Sequence, residues 1–126
     1  MVELIRRLLV AAIALGAIAG NADEIKEFFD NTVAVSEKVA TAGDMRSITM
    51  MLDREFILRA RYPSVAGFHK WMDTHFKEND LKPLTMDHWG NDFLYSTTKD
   101  HKTYKLISRG PDGVKGTDDD MKITGP

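Results

Sequence analysis

The chain has no cysteine, which excludes disulfide staples, thiolate-held zinc and a thiol nucleophile. It also lacks any excess of positive charge: 17 Lys and Arg stand against 19 Asp and Glu, for a formal net charge of -2. The clustered basic face that a nucleic-acid binder presents is therefore missing, and no nucleic-acid partner is expected. The four histidines, His69, His75, His88 and His101, do not have the spacing of metal ligands. No nucleophile motif or phosphate-cradling glycine loop accompanies the acids, so neither an enzyme nor a small-molecule substrate is read from this set. Long apolar runs are scarce too. The longest, residues 8–20, rises about 20 Å as a helix, against the roughly 30 Å of a bilayer's hydrocarbon core.

What is present fits one domain with an appended N-terminal segment. Arg6 and Arg7 precede the apolar run, small residues close it, and Asp23-Glu24 follow. Basic, then apolar, then small is the order of a secretory signal, and the same order serves a retained anchor in the inner membrane. In either case the charge asymmetry places the remainder outside the cytoplasm. A buried helix of a cytosolic protein is the plainer alternative. The division expected is residues 1–22 as signal or anchor and residues 23–126 as the folded domain.

From Asp23 to Arg61 apolar residues recur at three- and four-residue intervals, which predicts a long helix, with Asn21 or Asp23 as its cap and Gly43 as a break or kink. Tyr62-Pro63 ends it, since the residue before proline is pushed out of helical backbone. Ser64 is the expected N-cap of a second helix over residues 65–77, with Phe68, Trp71, Met72 and Phe76 as its apolar stripe. Residues 79–87 read as a loop. Residues 92–97 and 103–107 read as two strands of a hairpin, with Phe93, Tyr95, Tyr104 and Leu106 alternating inward. Trp89 is expected to fill the gap between helix and sheet, with Gly90 and Asn91 making a turn. The fold class is α+β: a long N-terminal helix packed against a short helix and a small antiparallel hairpin or sheet.

Four aspartates and three glycines then crowd residues 110–120. Such a segment has too little apolar surface for a core and too much like charge to fold tightly by itself. It is either a solvated tail or a cage around a cation, because oxygen-rich loops with glycines at the bends are how proteins hold calcium. Asp112 and the pair Asp119-Asp120 are spaced so that turns at Gly113 and Gly116 bring them together. It is not an EF-hand: the glycines are misplaced, and Ile123 stands where a bidentate glutamate is required.

Three strings resemble the type II secretion major pseudopilins and the wider type IV pilin-like group. Asp44-Met-Arg-Ser-Ile-Thr-Met-Met-Leu52, continuing to Tyr62-Pro63, is similar to the second half of the pilin helix and its exit. Asp87-His-Trp-Gly-Asn-Asp-Phe-Leu-Tyr95 is similar to the family's entry into its sheet, with His88 and Asp92 in place of prolines. Ser108 to Asp120 resembles its C-terminal calcium loop. The family's Gly-Phe-Thr-Leu-Ile-Glu processing site has no match; Glu3 and two arginines stand in that region. The resemblance implies a pilin-like fold and a calcium ion held by carboxylates of Asp112, Asp119 and Asp120 with carbonyls near Arg109 and Thr117. Asp118 is left as a solvated neighbour.

It also implies a structural subunit of a pseudopilus-like filament or secretion apparatus, anchored in a bacterial inner membrane. Such a subunit self-associates helically and meets other pilin-like or secretion subunits. The alternative is a soluble periplasmic or secreted calcium-binding accessory module, released by signal cleavage. Intact mass of the chain recovered from a bacterial envelope separates the two. Retention of residues 8–20 is the outcome expected of the anchored subunit, and their loss that of the released module.

Overall fold

The structure is a computed structural model that describes residues 1–19, 22–77 and 82–126. Asn21 as a cap and the start of the loop expected from residue 79 fall outside the described residues. Three helices, α1 (Val2–Ala19), α2 (Ala22–Arg59) and α3 (Phe68–His75), precede three strands, β1 (Leu94–Thr97), β2 (Tyr104–Ser108) and β3 (Met121–Gly125). The chain divides into two compact units, Met1–Val39 and Ala40–Pro126.

The first unit holds α1 and the first part of α2, the latter helical as the spacing from Asp23 onward predicts. Among the described residues no helix is long and apolar enough to cross a membrane. Glu3, Arg6 and Arg7 all lie within α1, where the arginines pair with Glu3 at 4.0 and 3.5 Å on an exposed surface.

The second unit holds the core. Met45, Ile48 and Leu52 recur on one face of α2 and are fully buried, as three- and four-residue spacing requires. α2 runs through Gly43 without interruption, so the break expected there does not occur. The helix ends where Ala60 adopts left-handed backbone at φ 58 and its N–H reaches the Phe56 carbonyl at 2.7 Å. Beyond it the Tyr62 N–H is taken by the His101 carbonyl at 2.8 Å, which ties the helix exit to the β1–β2 turn.

α3 is shorter than its sequence pattern. Gly67 occupies the N-cap without a side-chain bond. Ser64 instead accepts the Gly67 N–H at 3.0 Å, one turn earlier, so it stabilises the turn ahead of the helix. Aromatic contacts join α3 to the sheet. Phe68 stacks on Tyr95 with centroids 4.1 Å apart and planes within 8°, while Tyr62 meets Tyr104 edge-on at 4.7 Å. Trp71 is the tryptophan of the core; Trp89 is only half-buried and lies outside the core cluster, contrary to the role expected for it.

The hairpin is one strand larger than the sequence pattern indicates. β2 pairs antiparallel with β1 (Tyr95 opposite Leu106) and with β3 (Leu106 opposite Ile123), giving the order β1-β2-β3. In β3, Met121 and Ile123 pack against the core while Lys122 and Thr124 face solvent, which is strand alternation in five residues. Its last residue has a steric reason for its identity: a Cβ on Gly125 would fall 2.4 Å from the Tyr104 ring.

All three tyrosines of the chain are raised in pKa, first by burial; Asp53 adds to the rise at Tyr62 and Tyr104 and the neighbouring phenols add to it at Tyr95, and Tyr104 is pushed up to about 12. A phenol with a raised pKa adds stability that is intact below its unfolded value near 10 and is lost as pH rises through the folded value. Alkaline titration followed by phenolate absorbance is therefore expected to show no tyrosine ionising near pH 10 in the folded chain. Ionisation and loss of far-ultraviolet dichroism should instead coincide at higher pH.

Candidate metal centre

The acidic segment is a loop closed at both ends. Ser108 at the end of β2 pairs with Met121 at the start of β3, so residues 109–120 connect antiparallel neighbours. The segment is therefore a loop between paired strands and not a free end. Within the loop, Asp112, Asp119 and Asp120 each place a carboxylate oxygen within 4.8 Å of the others. These are the three carboxylates that the sequence singles out.

The bends come from glycine. Gly110, Gly113 and Gly116 have φ of 67°, 67° and 90°, a region that side-chain-bearing residues seldom enter. At Gly110 there is a second reason: a Cβ would lie 2.5 Å from the Asp119 carbonyl and 2.8 Å from its carboxylate. Backbone N–H groups of the loop then fix the acids. Asp119 Oδ2 accepts the Asp112 N–H at 3.1 Å, Asp112 Oδ1 the Val114 N–H at 2.9 Å, and Asp120 Oδ2 the Gly116 N–H at 2.7 Å.

Thr117 sits among them by its hydroxyl. Its Oγ1 is within hydrogen-bond distance of the Val114 carbonyl, Asp119 Oδ1 and Asp120 Oδ1, yet a hydroxyl has one proton to donate. That hydroxyl holds the Asp119 carboxyl below the ordinary carboxylate range, and the Asp112 N–H acts in the same direction. The Thr117 carbonyl, the ligand atom implied by resemblance, accepts the Asp120 N–H at 3.2 Å and keeps a second lone pair. Arg109 stands at the loop's entry with its Nε buried and without a hydrogen-bond partner. Asp118 is exposed, as expected of a solvated neighbour.

Charge balance is the distinctive property of the site. Among the described residues, no lysine, arginine or histidine forms an ion pair with Asp112, Asp118, Asp119 or Asp120. Three converging carboxylates with more acceptor oxygens than donors form the donor set of a hard, oxygen-preferring cation. The residues present fit calcium in kind; thiolate and imidazole ligands for zinc are missing from the group.

Residues outside the loop also hold it, and the sequence pattern does not mark them as part of a site. The turn at 87–91 closes with the Asp87 N–H donating to the Asn91 carbonyl at 2.8 Å. Asn91 Nδ2 approaches the Gly110 carbonyl at 3.5 Å, and its Oδ1 lies 3.1 Å from where a Cβ on Gly113 would fall. On its other side the turn is tied to α2: the His88 N–H donates to Thr41 Oγ1 at 3.1 Å, and His88 Nε2 lies 3.0 Å from Asp44 Oδ2. The one signal for these residues is the Asp87–Tyr95 string, which reads as a turn and a sheet entry but not as part of a site.

Two glycines give a test of the loop in the ion-free state. Gly116 has open space around it, so Gly116→Ala is expected to cost only the backbone strain, about 1–2 kcal/mol. Gly110→Ala adds a collision with Asp119 and is expected to cost more. Urea unfolding of both variants in chelator measures the difference, and equal losses would contradict the packing described.

Residues 31–125 match the family described as Type II secretion system (T2SS), protein G. The type II secretion system core protein G of Escherichia coli (strain K12) is 47% identical over 45 residues, which are 36% of this chain and 31% of that protein. The type II secretion system core protein G of Pectobacterium carotovorum subsp. carotovorum is 28% identical over 90% of this chain and 78% of its own length. No solved structure matches the chain. With a match that takes in the core half of α2, the whole sheet and the acidic loop, the chain belongs to the type II secretion system protein G family.

Proposed function

We propose that the chain is a structural subunit of a type II secretion pseudopilus, extracytoplasmic in a bacterium, whose 109–120 loop binds one calcium ion. Family membership across residues 31–125 is the observation that carries the subunit reading. The converging, un-neutralised carboxylates of Asp112, Asp119 and Asp120 carry the calcium reading. Carbonyls near Arg109 and Thr117 complete the ligand set. Magnesium suits the loop less well, because it prefers a strict octahedron and keeps its waters.

The ion's role in this reading is structural. Three carboxylates offset its double charge with one to spare, and without it they repel one another across a few ångströms. Binding to the folded chain alone stabilises that chain by mass action. Self-association follows from the same family reading. Phe28, Val35 and Val39 are exposed along α2 at spacings of seven and four residues, an apolar stripe of the kind that packs against copies of itself. A head-to-tail contact that does not close into a ring grows as a helical filament, alongside other secretion subunits. Catalysis is not part of this function.

Thermal melting tests the ion. The unmutated chain is expected to melt higher in calcium than in chelator, and Asp119→Ala with Asp120→Ala to melt in calcium at the chelator level. Identical melting of the unmutated chain in both conditions would refute calcium binding. Electron microscopy of the full chain tests assembly: filaments in calcium support the subunit reading, and dispersed particles throughout count against it.

A further inference from the structure

Asp87 is 1% exposed, and among the described residues no cation pairs with it. Burying a carboxylate is costly unless its oxygens are satisfied, and here they are. Oδ1 accepts the N–H groups of Trp89 and Asn91, each at 3.0 Å, and Oδ2 accepts the Ser108 hydroxyl at 2.7 Å. The turn alone does not account for the residue, because an asparagine carbonyl would accept the same two N–H groups.

What a carboxylate adds is direction. It only accepts, so Ser108 must donate to it, and the Ser108 oxygen is left with lone pairs to receive the Gly110 N–H at 3.3 Å. Ser108 is itself fully buried, so bulk water does not reach either contact. Gly110 in turn rests directly on Asp119, with no room for a Cβ between them. We infer that Asp87 is the positioning residue of the cation loop, setting the place of Asp119 through Ser108 and Gly110. The inference rests on the calcium reading proposed above.

Substituting Asp87→Asn keeps the turn's acceptor and reverses the relay. The new amide donates to the Ser108 oxygen, which already receives Gly110, and the buried Ser108 O–H is left without an acceptor. Calorimetric titration of the full chain with calcium chloride is the test, on the unmutated protein, D87N, S108A and the double variant. Loss of a partner that orients a ligand weakens metal binding by about tenfold or more, which is the change expected for D87N. S108A should weaken binding less, and the double variant should bind no more weakly than D87N, because removing the hydroxyl removes the conflict. A merely structural role would lower melting in chelator and leave affinity unchanged, so equal affinity in D87N and the unmutated protein overturns the inference.

If the unmutated protein takes up no calcium, the calcium reading fails and the positioning role is decided separately. Hydrogen exchange at the Gly110 amide of the ion-free chain is then expected to be faster in D87N and S108A. Unchanged protection in both variants overturns the relay.

Discussion

The pairing of Ser108 with Met121 governs the site, because it makes neighbours of two chain positions separated by the entire acidic loop. Neighbouring strands lie about 4.8 Å apart, so the chain between them must leave the sheet and return to almost the same point. Four aspartates cannot spread along such a path as they would along a free tail. The glycines turn the chain inward, and Asp112, Asp119 and Asp120 are brought together although their carboxylates repel one another. The energy for this comes from the sheet and its packing, with backbone N–H groups as the local donors.

That sheet is held by aromatic contact with the helices of the second unit. Tyr95 lies against Phe68 of α3, and Tyr104 lies against Tyr62 at the exit of α2. Tyr104 also covers Gly125 of β3, where any side chain would collide with its ring. The third strand is thus placed by the core as well as by its hydrogen bonds, and with it the far end of the loop. The near end is placed by a different device, the buried polar turn at 87–91, which reaches α2 on one side through His88 and the loop on the other through Ser108. Both ends of the loop therefore refer back to the part of α2 that lies in the second unit and to its exit.

Much of this is legible in the order of residues. Apolar spacing locates α2, alternation locates β1 and β2, and the Asp-Gly content singles out the three carboxylates that converge. The features that escape such reading share a cause. β3 has only Met121 and Ile123 as apolar residues and lies between an aspartate run and a terminal Gly-Pro, so its alternation is too brief to stand out until it is paired with β2. Ser64 precedes a helical pattern as a cap should, yet an extra turn intervenes. Two tryptophans of equal hydrophobicity take opposite roles, Trp71 in the core and Trp89 half-exposed.

The sequence by itself determined the periodicities, the excess of acid over base in residues 110–120 and the glycines that permit left-handed turns, since each is a property of neighbouring residues. Tertiary structure alone decided that the acidic stretch is a closed loop and that Asp87 bonds Ser108 at its base. The loop's closure and its outer support depend on the Ser108–Met121 pairing and on the Asp87–Ser108 bond, whose partners are 21 positions apart. No local pattern specifies such a partner; packing of the core selects it.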